Sequence, residues 1–309
     1  MILAQSIESD TSFYAPKSSD LDKGSNNLIK FGSFGAYTVG AFSLYEFWYK
    51  DFEQESFHFF DDFGEWSNVD KMGHIHASYS QSNIIYKGYK WSGQSEDKAI
   101  LWSSVTSLAF QSAIDVMDGF SSGWGFSISD YSANLIGVSV FAIQQKIWHE
   151  QKVNLKMSYW PENYPVTPVL QSTSISINDR ARSLFGTTLP EQFLKDYNAQ
   201  TYWLSFHPAL IFPNLEMPKW LNLAIGYGAD NMLGGFENRW IENNEVIAIN
   251  NELRQRQFIF ALDYNLTKIN TKSKFLRTVL DVLNAFKWPS PGIELTSKGE
   301  FKFHLLFLN

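Results

Sequence analysis

Residues 141–160 read Phe-Ala-Ile-Gln-Gln-Lys-Ile-Trp-His-Glu-Gln-Lys-Val-Asn-Leu-Lys-Met-Ser-Tyr-Trp, and the hydrophobic period changes within this stretch. Before Val153 the apolar residues recur at the spacing of a helix, whereas after it they tend to alternate as in a strand. The sequence therefore predicts an α+β fold, with a helical region over 28–150 followed by a β-rich region over 151–309.

The helical half contains three uncharged stretches, which cover residues 31–45, 99–114 and 131–145. Each is shorter than the about 20 apolar residues of a bilayer span and contains hydroxyl or amide side chains. A fourth, polar helix is predicted over about 70–88. The four-helix bundle is therefore either embedded in a membrane through short tilted spans or built from buried helices.

Small residues recur every four positions in the first of these stretches, at Gly32, Ala36 and Gly40. Such spacing lines up small side chains on one side of a helix and lets a second backbone approach closely. We therefore expect these three residues to face another helix.

Six candidate strands are predicted in the β-rich region, over 153–160, 201–212, 221–229, 256–267, 292–297 and 300–308. One helix near 273–287, capped by Ser273, interrupts them. Strands in lipid must close into a barrel, and bacterial outer-membrane barrels have at least about eight. The region is therefore either barrel-like, with strands still to be found, or a small sheet packed against the bundle.

The composition narrows the classes of partner. Aromatic residues make up 17% and charged residues 18% of the chain, and the net charge is -7. This charge argues against a nucleic-acid partner, whereas few charges with many aromatics favour contact with membrane lipid. With no cysteine, disulfides and thiolate metal sites are excluded. No cofactor is predicted.

The N-terminal segment, residues 1–27, is expected to be a flexible arm. Its first residues read Met-Ile-Leu-Ala. The sequence leaves two interpretations open: an ordinary start, or the tail of a signal peptide.

Polar side chains interrupt the apolar helices at intervals. Asp70 and His74 are four residues apart on one helix face. Asp115 and Asp118 lie at the C-terminal end of an uncharged helix, where the helix dipole disfavours anions, so a compensating group is expected. Asp130 suits the first turn of the next helix.

These residues are predicted to converge in one polar cluster, whose members are Asp70, Lys71, His74, Asp115, Asp118, Ser127, Asp130 and Asn134. One interpretation is an interhelical network of hydrogen bonds and ion pairs. The other is a site in which His74 and Asp115 or Asp118 act as acid and base. A His-x-x-x-His pair is absent, and no metal is predicted.

The order Asp-Lys-x-x-His, an acid-bearing helix end, then Gly-Phe-Ser and Asp-x-x-x-Asn-x-x-Gly resembles a bacterial family described as predicted periplasmic lipoproteins. It resembles the VanZ-like membrane proteins, associated with glycopeptide resistance, more distantly. The matching positions are Asp70, Lys71, His74, Asp115 or Asp118, Ser127, Asp130, Asn134 and Gly137. The resemblance covers about 58–150 and implies a short helical bundle in the envelope of a diderm bacterium, at the outer membrane or periplasmic side.

Two functions follow from these observations. The first is a non-enzymatic envelope protein associated with the outer membrane, structural or a subunit of an assembly, with lipid and a further envelope protein as partners. The alternative is a membrane-surface enzyme or carrier that acts on lipid or cell-wall precursors through the Asp/His cluster. A sealed, mutually bonded cluster favours the first function, and an open cleft favours the second.

Overall fold

The computed structural model describes residues 21–50, 52–168, 175–242 and 244–308. Residues 1–20 of the expected arm lie outside this part of the chain. The fold divides into two compact units. The helical unit comprises residues up to Phe60, Ala77–Lys152 and Asn270–Val282, and the sheet unit comprises Asp61–His76, Val153–Ile269 and the residues from Leu283 onward.

The predicted helical N-terminal half is confirmed. Its four long helices are α1 (Lys23–Leu44), α2 (Val69–Trp91), α3 (Glu96–Asp118) and α4 (Ile128–Trp148). Helix α1 begins inside the segment expected to be a flexible arm, because the Asp22 carboxylate accepts hydrogen bonds from the backbone N–H groups of Gly24 and Ser25. Among the described residues, none of the helices combines the length and the apolar character needed to cross a membrane.

The small residues of α1 do not form the expected packing face. Gly40 lies 3.6 Å, measured from an ideal Cβ, from the Phe110 ring, but a Cβ at Gly32 would meet no described atom within 4 Å, and Ala36 is exposed. The helix instead packs through Ile29 and Tyr37. Ile29 lies against Gly88 of α2, and Tyr37 stacks on Phe110 at 4.0 Å between ring centroids. The small residue that permits close approach is therefore Gly88 on the partner helix.

The strand-rich C-terminal half is also confirmed. Its strands are β1 (Val153–Tyr159), β2 (Gln200–Phe206), β3 (Leu221–Asp230), β4 (Arg239–Glu242), β5 (Glu245–Ala248), β6 (Gln255–Tyr264), β7 (Ser290–Thr296) and β8 (Phe301–Phe307). Six of them form an antiparallel sheet in the order β1-β2-β3-β6-β7-β8. The predicted strand over 201–212 ends at Phe206, because a 3-10 turn follows at Pro208–Leu210.

The sequence reading underestimated the helices of this half. Besides α7 (Lys274–Leu283), for which the Ser273 hydroxyl accepts from the Leu276 N–H as predicted, there are α5 (Ile177–Phe185) and α6 (Leu189–Lys195). Both additional helices begin with a capping box, formed by Ser176 with Asp179 and by Thr188 with Glu191. The Ser/Thr-x-x-Asp/Glu spacing that marks such boxes was therefore available in the sequence. The short β4–β5 hairpin was also missed.

The two faces of the sheet differ in polarity. Side chains alternate between an inner, buried face and an outer, exposed face, most regularly along β6. The inner face carries a small apolar cluster, formed by Trp203, Ala224, Ile259, Ala261 and Phe307. Buried polar residues surround it, namely Thr201, Ser205, Asn222, Gln257, Asp263, Ser290, Glu294 and Thr296. The outer face is apolar and is exposed over much of β6, β7 and β8, whereas Ala229 and its neighbours Tyr202 and Tyr227 pack against Val69 of α2.

Candidate functional site

Lys71 is paired with two carboxylates in the sheet unit. Its Nζ lies 2.6 Å from Asp62 Oδ2 and 2.7 Å from Asp70 Oδ2. All three side chains are buried, with 6–7% of each residue exposed. The lysine thus compensates both carboxylates, as expected for a charged group removed from water. Asp62, which was not among the residues of the predicted cluster, is one of these partners.

A left-handed turn precedes α2 and positions these groups. Gly64, Trp66, Ser67 and Asn68 have φ angles of 92°, 48°, 55° and 66°. The turn is anchored by two hydrogen bonds: the Trp66 N–H donates to the Gly235 carbonyl, and the Tyr227 hydroxyl donates to the Ser67 carbonyl. Non-glycine residues rarely adopt positive φ, so tertiary contacts hold the turn that begins α2.

Two histidines follow in the first turns of α2. His74 lies one turn after Asp70 and is partly buried. His76 Nε2 lies 3.1 Å from the Ala285 carbonyl oxygen, and burial lowers the His76 pKa to about 4. Directly before His74, Gly73 leaves room for the Tyr202 hydroxyl, which lies 3.0 Å from an ideal Cβ there. Burial and the charge of Asp70 raise the pKa of Tyr202.

In the helical unit, Asp115 of α3 bonds to α4. The Asn134 Nδ2 lies 3.0 Å and 3.3 Å from the two Asp115 carboxylate oxygens, and the two residues are 0–1% exposed. An amide donor therefore supplies part of the compensation that the sequence led us to expect for an anion at a helix C-terminus.

Asp118 has a different partner. Its Oδ1 accepts a 2.6 Å hydrogen bond from the Tyr49 hydroxyl, and the Tyr49 pKa is raised by burial and then by the Asp118 charge. The signal for this contact would have been an acid at a helix end together with a distant tyrosine, which spacing alone cannot pair.

Ser127 and Asp130 form the start of α4. The Ser127 hydroxyl accepts from the Asp130 N–H at 2.9 Å, and Asp130 lies in the first turn as predicted. The predicted cluster has members in both units. Asp70, Lys71 and His74 belong to the sheet unit, whereas Asp115, Asp118, Ser127, Asp130 and Asn134 belong to the helical unit. Convergence of all eight residues stays a prediction.

A second buried polar group lies on the inner face of the sheet and was missed by the sequence reading. Lys156 Nζ lies 2.8 Å from Asp263 Oδ2, and both side chains are 0% exposed. The Ser205 hydroxyl also donates to Asp263 Oδ2. Lys287, whose pKa burial lowers to about 8, donates to Ser290 Oγ at 2.8 Å. The sequence signal for this group was Lys156 at the centre of a strand in which apolar and polar residues alternate.

Comparison with known families gives one match. Residues 58–146 match the model of a family described as "Predicted periplasmic lipoprotein (DUF2279)". The matched segment contains all eight residues of the predicted polar cluster. No curated protein and no solved structure matches the chain. The match fits an envelope protein, with a periplasmic or other envelope location, and indicates no reaction.

Proposed function

We propose that this chain is a non-enzymatic protein of the cell envelope, associated with the outer membrane, in which the polar residues of segment 58–146 hold the fold together. The observation that carries the proposal is that Asp62, Lys71 and Asp70 are buried and joined by ion pairs, and that Asp115 and Asn134 are buried and bonded to each other. A proton-transferring group must reach its substrate. Asp115 is 1% exposed and accepts from Asn134, an arrangement that suits a structural contact between helices.

The Asp62–Lys71–Asp70 group supports the same conclusion. Its ammonium group lies between two carboxylates at ion-pair distance, so each carboxylate has the lysine charge beside it. Buried ion pairs of this kind specify one packing arrangement more readily than they add stability. The distant VanZ-like relationship belongs to this proposal, and the ordered residues from Asp70 to Gly137 support it.

Asp115 provides the test, because two of its substitutions separate structure from chemistry. Asp115→Asn keeps an oxygen that can accept from Asn134 but cannot act as an acid or base, whereas Asp115→Ala removes the acceptor. Each variant is expressed in a strain lacking the chromosomal copy. Detergent sensitivity and leakage of a periplasmic enzyme are then measured, with protein abundance determined alongside.

We expect the deletion to weaken the envelope, Asp115→Asn to restore it, and Asp115→Ala to be depleted and fail. His74→Gln should also restore it. A normally abundant, folded Asp115→Asn or His74→Gln protein that fails to restore the envelope contradicts the proposal and favours the enzyme or carrier that acts on lipid or cell-wall precursors. An intact envelope in the deletion strain also contradicts it.

A further inference from the structure

Strand β6 shows an inverted polarity. Phe258, Phe260 and Leu262 point to the outer face and are 48%, 49% and 36% exposed. The inner face of the same strand carries the polar Gln257 and Asp263, 8% and 0% exposed, on either side of the buried Ile259 and Ala261. A sheet with one face in water normally has the opposite arrangement, with apolar residues inside. The medium around the outer face is therefore expected to be apolar.

The neighbouring strands repeat this pattern. Ile225 of β3 pairs with Phe260, and Ile293 of β7 pairs with Phe260 from the other side. We define the outer sheet face by the residues that share this side and are 36–68% exposed: Leu204, Ile225, Phe258, Phe260, Leu262, Ile293, Leu295, Phe301 and Phe303. All nine are apolar, and the charged Arg256 lies on the same side at the beginning of β6. The apolar surface thus extends across strands β2, β3, β6, β7 and β8.

Polar and aromatic residues mark the two ends of this surface. Arg256 begins β6 on the outer side, and Lys298 lies in the β7–β8 turn. At the opposite end, Trp220 and Trp288 are 42% and 41% exposed, and Trp220 packs beside Tyr264. From Arg256 to Tyr264 an extended strand covers about 26 Å, which is the distance between the charged end and the aromatic end of this surface.

The charges at one end complement a lipid headgroup. Lysine and arginine beside an apolar surface suit the phosphate level of a bilayer, and tryptophan and tyrosine suit its interface. A protein partner would cover an apolar patch with a polar rim, but it would not explain the polar inner face. In lipid no hydrophobic force drives apolar residues inward, so hydrogen-bonded polar residues can take the interior.

The helical unit shows the same inversion by itself. Its exposed apolar residues on α3 and α4 include Leu101, Val105, Leu135, Ile136, Ile143 and Ile147. The buried faces of these helices carry hydroxyl and amide side chains, including Ser103, Ser107, Gln111, Asn134, Gln144 and Gln145. Two units built from different secondary structure therefore have the same relation between an apolar exterior and a polar interior.

We propose that the outer sheet face contacts the acyl chains of membrane phospholipids. This inference rests on the proposed envelope function and names the partner of the sheet. The side chains of Phe258, Phe260 and Ile225 lie among the acyl chains, and Arg256 and Lys298 lie at the level of the lipid phosphates. Contact through this face needs no lipid anchor on the chain.

The absence of native cysteine makes the contact measurable at single positions. Phe258→Cys and Phe260→Cys place a nitroxide spin label on the outer face, and Ile225→Cys provides a second strand in case either variant misfolds. Glu216→Cys, in an exposed loop, is the matched control for water. The full chain is reconstituted in vesicles of phosphatidylethanolamine and phosphatidylglycerol, and the label's accessibility to oxygen and to a water-soluble nickel chelate is measured.

We expect the oxygen-to-nickel accessibility ratio to be several-fold higher at 258, 260 and 225 than at 216. High nickel accessibility at 258 and 260 would place the face in water, and low accessibility to both reagents would place it under a protein. Either result overturns the proposal. The Asp115→Asn complementation result is independent of these labels, so failure of lipid contact and failure of the envelope function are distinguishable.

Discussion

The sheet unit and the helical unit bury polar groups of different kinds. The sheet holds a lysine–carboxyl pair, Lys156 with Asp263, at 0% exposure. The helical unit relies more on neutral donors: Ser107 donates to the Ser78 carbonyl at 2.9 Å, and Gln145 donates to the Tyr86 hydroxyl at 3.1 Å. Its ion pair between Lys87 and Asp281 is only partly buried, at 21% and 12% exposure.

This difference has an energetic consequence. An uncompensated buried charge costs several kcal/mol, whereas losing a neutral hydrogen bond costs about 1 kcal/mol. The sheet interior should therefore be sensitive to single changes that unbalance charge. In the helical interior, a substitution that removes a neutral hydrogen bond should lower the free energy of unfolding only slightly, in proportion to the number of bonds lost.

The largest expected effect is at Lys156. Lys156→Met leaves the Asp263 carboxylate buried with its strongest partner removed, and we expect the free energy of unfolding to fall by about 3–5 kcal/mol. Denaturant unfolding in detergent measures it. In the double variant Lys156→Met/Asp263→Leu the loss should be smaller than in the single one. A double variant at least as unstable as Lys156→Met would show that the charge balance is unimportant.

A second expectation concerns pH and is specific to the sheet unit. The folded-state pKa of His76 is about 4, below its ordinary value of 6.5, so between these values the unfolded chain binds the proton more readily. Stability should therefore fall as the pH drops from 6.5 towards 4, by up to roughly 3 kcal/mol. Unfolding midpoints measured across this range should show the slope.

His76→Gln serves as the comparison for the pH slope. Its amide can still donate to the Ala285 carbonyl, but it does not titrate. The variant should lose the part of the slope that His76 contributes, while other acidic groups titrate equally in both proteins. Identical slopes in the two proteins would contradict the burial of a neutral imidazole.

The sequence predicted the secondary structure of both units better than it predicted the contacts between distant elements. The change of period at Val153 and the caps at Ser127 and Ser273 are local, so helices α1–α4 and the six main strands follow from neighbouring residues. Contacts between distant elements do not follow in this way. The bond from Tyr49 to Asp118 joins residues 69 positions apart.

Lys156 illustrates the same limit for the site. A lysine within an alternating strand gives no sign of its partner, because two strands lie between Lys156 on β1 and Asp263 on β6 in the sheet order. Conversely, Gly32 and Ala36 had the spacing of a packing face, but spacing does not show on which side of α1 the neighbouring helices lie. The position of Asn26, Ile29 and Tyr37 decides that side.

Smaller effects on stability are expected at two glycines, one in each unit. A Cβ at Gly226 of β3 would lie 2.7 Å from carbons of the Trp203 ring, whereas at Gly88 of α2 it would lie 2.9 Å from the flexible Ile29 Cδ1. Gly226→Ala should therefore cost about 1–3 kcal/mol, as overpacking does. Gly88→Ala should lower the free energy of unfolding by less than Gly226→Ala does, because Ile29 can rotate away and alanine has a better helix propensity than glycine. Equal losses in denaturant unfolding would show that Trp203 can move as easily as Ile29.

The smallest expected effect has the opposite sign. A Cβ at Gly32 of α1 would meet no described atom within 4 Å, and glycine within a helix is less favourable than alanine by about 1 kcal/mol. Gly32→Ala should therefore raise the free energy of unfolding by up to about that amount, and Gly35→Ala, equally open, should do the same. If Gly32 packed against another helix as its spacing suggested, the added methyl group would clash. A loss of stability in Gly32→Ala, with a gain in Gly35→Ala, would therefore show that Gly32 packs against another helix. In the structure Ile29 and Tyr37 make this contact instead.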